Sequence, residues 1–110
     1  MEDRRVFERI AARFPLRFLD PISSREGNAD TVDICANGLG LVTNENLSAM
    51  TPLEMWLGIP DQHEPLYTRG EVIWSEPLSS TGEHRVGVRL EKAELMGLAR
   101  ILWIKERRAS

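Results

Sequence analysis

Apolar and polar residues alternate in short runs over most of the chain, and such alternation predicts half-buried strands. Phe14, Leu16 and Phe18 alternate with Pro15, Arg17 and Leu19. Pro15 has no N–H to donate, so this strand belongs at an edge or near a strand start. Residues 21–29, Pro-Ile-Ser-Ser-Arg-Glu-Gly-Asn-Ala, are turn formers. Val32 and Ile34 begin a second strand, Asn37-Gly38 is a hairpin signal, and Leu39-Gly40-Leu41-Val42 comes next. Leu53, Met55, Leu57 and Ile59 alternate with Glu54, Trp56 and Gly58 up to Pro60-Asp61. A strand over 70–75 sets Gly70, Val72 and Trp74 on one face, and Ser79-Ser80-Thr81-Gly82 is a turn. Val86, Val88 and Leu90 then alternate with Arg85, Gly87 and Arg89. Six short strands separated by turns predict a mainly β domain, a small antiparallel barrel or sandwich.

The end of the chain has a different period. Residues 92–107 lack proline, and Leu95, Leu98, Leu102 and Lys105 recur at helical spacing, with Ile101, Trp103 and Ile104 widening the stripe. This predicts one amphipathic helix whose apolar face packs on the strands, with Lys105-Glu106-Arg107-Arg108 at its end. Basic side chains there complement the negative pole of the helix dipole.

Composition bounds the function. A chain of 110 residues makes one domain, large enough for one core. A single cysteine, Cys35, leaves no intramolecular disulfide, and two distant histidines, His63 and His84, offer no zinc spacing. Both histidines read as surface residues. The first residues lack the apolar core of a signal peptide, and no apolar run is long enough to span a bilayer, so the expected location is cytoplasmic. No Walker loop, nucleophile elbow or nucleophile–base pair is present, so an enzyme is not expected.

Charge is uneven. The net value is −3, which argues against coating of DNA or RNA or of an acidic membrane. Single-stranded nucleic acid is disfavoured further, because only 6% of residues are aromatic. Residues 1–17, however, hold five Arg against Glu2, Asp3 and Glu8 and carry +2, while the remainder carries −5. The basic residues are 12 Arg and two Lys, and Arg makes planar, forked contacts with phosphates and base edges.

Two clusters carry candidate chemistry. Arg5 and Arg9, preceded by Arg4, form R-x-x-x-R in an arm that would otherwise read as solvated and flexible. Asp33-Ile34-Cys35-Ala36-Asn37-Gly38 carries an acid from a strand into a tight glycine turn. Paired guanidinium groups chelate phosphate oxygens and bind the O6/N7 edge of guanine. An aspartate accepts from the N1 and N2 donors of guanine, and glycine admits close approach of backbone N–H groups to an anion. Together they describe a site for a phosphate-bearing guanine nucleotide, although the ordinary role of a turn aspartate is to cap its own backbone.

In these residues the chain resembles the PilZ domain family. The likeness rests on R-x-x-x-R, the D-x-C-x-x-G turn, Gly38-Leu-Gly-Leu41, Gly70-Glu-Val-Ile-Trp74 and Arg85-Val-Gly-Val-Arg-Leu90, in the family's order. The resemblance implies a six-stranded antiparallel β-barrel with a C-terminal α-helix. It divides the chain into an Arg-rich switch segment over 1–13, a barrel over 14–91 and a helix over 92–107. It also implies binding of the bacterial second messenger cyclic di-GMP, with no further cofactor. Arg5 and Arg9 match the arginines that hold phosphate and guanine, and Arg4 is placed to add a contact. Asp33 matches the position that reads guanine and Gly38 the motif glycine. Asn37 would contribute backbone, and Trp74 would stack near a base. Cys35 stands where the family usually has serine, and a thiol is a weak donor and acceptor. Losing one hydroxyl contact to a charged ligand costs about 1.5–3 kcal/mol. The expected output is ordering of the arm and a changed surface for an unidentified downstream protein, from a monomer or weak dimer. The alternative is a PilZ-like interaction module, in motility, secretion or signalling, that does not bind the nucleotide.

Overall fold

The computed structural model describes residues 10–11, 13–35, 38–60, 62–78, 81–91, 94, 96–98 and 100. Among the described residues seven strands run in chain order: β1 (Ile10–Ala11), β2 (Pro15–Asp20), β3 (Arg25–Cys35), β4 (Gly38–Thr43), β5 (Pro52–Leu57), β6 (Leu66–Leu78) and β7 (Glu83–Leu90). They are arranged β1-β3-β2-β5-β6-β7-β4, and pairing of β3 with β4 closes the six longer strands into an antiparallel barrel. Closure removes the free edges that a six-stranded open sheet would expose. Residues 94, 96–98 and 100 are helical, within the span expected for the helix.

The alternating apolar residues fill the barrel. Phe18, Ile34, Leu39, Leu41, Leu53, Met55, Leu57, Val72, Val86 and Val88 are all fully buried, and Leu98 of the helix is buried with them. Glu94 ties the helix to the barrel: its carboxylate accepts from the Thr68 hydroxyl and from the Arg69 N–H at 2.9 Å. Where the chain enters β2, the Thr31 N–H donates to the Phe14 carbonyl at 2.9 Å, and the Phe14 N–H donates to the Thr31 hydroxyl at 2.9 Å. This satisfies a buried threonine that would otherwise be costly in the core.

The segment 21–29 departs from the reading as a turn. Only residues 21–24 turn, and β3 already begins at Arg25. Its inward positions escape an apolar pattern because they are small. Gly27 pairs with Phe18, and a Cβ on Gly27 would fall 2.5 Å from the Phe18 ring. The large ring of one strand thus takes the space left by the missing side chain of the next. β6 is likewise longer than the predicted 70–75, because its buried inward residue Thr68 is polar.

Candidate functional site

Two β-bulges set the outer face of the barrel. In β3 the register shifts between Thr31 and Asp33, and in β6 between Val72 and Trp74. Each bulge inserts one residue and reverses which face the next side chain takes. Thr31 therefore points inward with Ala29, while Asp33 points outward and Ile34 returns to the core. Val72 is buried, whereas Trp74 is 40% exposed. This corrects the expectation that Val72 and Trp74 share a face: strict alternation holds only where the ladder has no extra residue.

The result is a row across four strands. Asp33 pairs with Gly40, Gly40 with Gly87, and Gly87 with Trp74. The neighbouring pairs Leu39–Val88 and Leu41–Val86 face the core, so this row faces outward. Asp33 and Trp74 lean over the two glycines from opposite ends. A Cβ on Gly40 would lie 2.7 Å from Asp33 Oδ1, and one on Gly87 would lie 2.4 Å from Trp74 Cε2. Bare backbone at both positions is what lets the acid and the ring settle on the sheet.

Arginines flank the row. Arg85 and Arg89 lie two residues either side of Gly87 on the same face of β7. Arg85 Nη2 donates to Asp33 Oδ2 at 3.2 Å; the Asp33 side chain is 8% exposed and that of Arg85 is 33% exposed. A carboxylate so far from water needs such a donor and countercharge. The Arg85 Nε is buried and has no hydrogen-bond partner among the described residues. Arg89 pairs with Glu71 at 2.5 Å on the exposed surface. Beside it lies a depression of about 460 Å³ lined by Arg69, Gly70, Glu71, Arg89, Glu91 and Glu94.

Gly38 opens β4 opposite Cys35 on one side and Arg89 on the other. A Cβ there would lie 1.9 Å from the Val88 carbonyl oxygen, a clash with backbone that no rotamer relieves. The motif glycine therefore has a structural reason of its own. β1 adds the last strand at this site, with Ala11 paired to Asp33 and Ile10 to Ile34.

Of the residues singled out from sequence, Asp33, Gly38 and Trp74 come together on this face, and Cys35 closes the hairpin beside them. Arg4, Arg5, Arg9 and Asn37 lie outside the described residues. Arg85, Gly40 and Gly87 were not among the candidates. Their signal was present: glycine inside a strand marks close approach, and alternation sets Arg85, Gly87 and Arg89 opposite Val86 and Val88. His84 is half-buried, not a plain surface residue, and its Nδ1 has no partner among the described residues. Among the described residues, no group of three or more His, Cys, Asp or Glu is arranged to hold a metal. No described helix is long and apolar enough to cross a membrane.

The sequence pattern of the PilZ domain matches residues 3–108. No curated protein matches the chain. Solved structures share its fold, two of them as follows. The Bacillus subtilis inhibitor of motility MotI/DgrA is 14% identical, with a TM-score of 0.66 over 96% of this chain and 52% of its own. Escherichia coli YcgR, solved in complex with c-di-GMP, is 20% identical, with a TM-score of 0.66 over 96% of this chain and 47% of its own. The chain thus spans about half the length of these proteins. With a pattern match over almost its whole length and the same barrel, the chain belongs to the PilZ domain family.

Proposed function

We propose that the chain is a receptor for cyclic di-GMP and relays ligand binding to a partner protein. The observation that carries this reading is the row Asp33–Gly40–Gly87–Trp74, bounded by β1. Arg9 is the residue before β1 in the chain, and Ala11 of β1 is paired with Asp33. Asp33 supplies the acceptor for a guanine N1/N2 edge, and Trp74 supplies an exposed aromatic face for a base. Arg5 and Arg9 of R-x-x-x-R, with Arg4, hold the phosphates. The complex of YcgR with c-di-GMP supports the choice of ligand. Ordering of the Arg-rich arm on the ligand would present the altered surface, with part of the binding energy offsetting the entropy of ordering.

Calorimetric titration of the chain with cyclic di-GMP tests this. Saturable heat is expected at protein concentrations of about tens of micromolar, and Arg9→Ala should abolish most of it. A flat titration of the folded wild-type chain rejects the reading. It would favour the second reading, a PilZ module that docks to a partner without nucleotide, to which Cys35 in place of serine already points.

A further inference from the structure

The Asp33–Arg85 pair joins two strands that are not neighbours. β4 lies between them, and the guanidinium reaches the carboxylate across Gly40, where a Cβ would sit 2.7 Å from Asp33 Oδ1 and 4.0 Å from Arg85 Nη2. The contact is made by one guanidinium nitrogen, at 3.2 Å. The adjacent Nε is buried without an acceptor among the described residues. A forked donor therefore sits beside Trp74's glycine with one prong engaged and one unused. An unmade bond to a buried donor is costly, and a ligand that supplies the acceptor recovers that cost.

We propose that Arg85 is a guanine-recognising residue of this site, exchanging its hold on Asp33 for the O6/N7 edge of the bound base. The inference rests on the cyclic di-GMP reading above. On a guanine the N1/N2 donors and the O6/N7 acceptors are contiguous around the ring. Asp33 is acceptor-only and Arg85 donor-only, so two adjacent side chains complement two adjacent edges. The exchange keeps both groups hydrogen-bonded: Asp33 gains the base's N–H donors as it loses Nη2, and Nε gains an acceptor. Two parallel N–H bonds from Arg to O6 and N7 are a discriminating contact, because adenine presents a donor at the position of O6. Arg85 is thereby a specificity determinant carried by the barrel itself, separate from the arginines of the arm.

The test combines titration with arginine side-chain NMR on the full chain. Arg85→Met keeps the aliphatic stem and removes every donor. It should bind cyclic di-GMP about 10- to 100-fold more weakly than wild type, the range expected for a charge-assisted contact. Arg85→Lys keeps the charge but not the fork and should fall between the two. In the wild-type chain the Arg85 Nε–H signal should move downfield and exchange more slowly with water at ligand saturation. Thermal melts verify folding; should Arg85→Met fail to fold, Arg85→Lys and the wild-type Nε–H signal decide. Wild-type affinity in Arg85→Met, or a stationary Nε–H signal at saturation, overturns the proposal while leaving the receptor reading intact. Absence of binding by the folded wild type overturns both.

Discussion

Arg85 and Asp33 stand 52 residues apart in sequence and meet at 3.2 Å across an intervening strand. The contact exists because Gly40, between them, has no side chain. Arg85→Met removes one charged donor from a carboxylate that is 8% exposed. Because Arg85 itself is one-third exposed, solvent softens the loss, and about 1–3 kcal/mol is expected rather than the full value for a dry pair. Urea denaturation measures it. The paired change Asp33→Asn with Arg85→Met should lose less than the sum of the single changes.

Gly87 is required by Trp74. A Cβ at Gly87 would lie within 2.4–2.8 Å of three indole atoms. Gly87→Ala should push the ring off the sheet and destabilise the barrel by about 1–3 kcal/mol. The expected readings are a lower melting temperature and a shifted indole N–H signal for Trp74. A variant that melts and resonates like wild type contradicts the packing described.

Gly38 separates a structural from a ligand role. Alanine there meets the Val88 carbonyl oxygen at 1.9 Å, so β4 and β7 cannot keep their register. Gly38→Ala should lose more than about 2 kcal/mol of stability without any ligand. Arg9→Ala should instead leave the unliganded melting temperature within a few degrees and act on binding. Thermal denaturation of both variants distinguishes them.

Much of this architecture was legible in the sequence. Val86, Val88 and Leu90 against Arg85, Gly87 and Arg89 marked both faces of β7 correctly, since no bulge interrupts that strand. Asp33 and Gly38 stood out because an acid running into a glycine turn has few reasons to be there. The bulges at Val32 and Ile73 were not legible, as an extra residue leaves no mark on composition and changes only the phase of the residues after it. Without them Trp74 falls on the core face and Asp33 beside Thr31. The start of β3 was hidden for another reason: Gly27 and Ala29 are inward yet too small to read as apolar, because Phe18 fills the space.

A pH effect is expected far from the site, in the β2–β3 turn. Desolvation raises the Asp20 carboxyl, but hydrogen bonds from the Ile22 N–H and from the Ser23 hydroxyl and N–H, with Arg25 nearby, together outweigh it. The net effect holds it below the ordinary value. A carboxyl depressed on folding stabilises above its unfolded pKa, about 3.9, and that contribution fades as pH falls through the folded value. Asp20→Ala should therefore lower the urea midpoint at neutral pH, and the gap from wild type should close as the solution is acidified below about pH 4. A gap that persists unchanged in acid would show that the carboxylate does not hold the turn.

Amide NMR during a cyclic di-GMP titration shows whether a guanine nucleotide sits on the row from Asp33 to Trp74. The expected result is saturable movement of the Gly40 and Gly87 amides and of the Trp74 indole N–H, with the Trp56 indole on β5, outside the row, unmoved. Shifts confined to other strands, or none at saturating ligand, would contradict it.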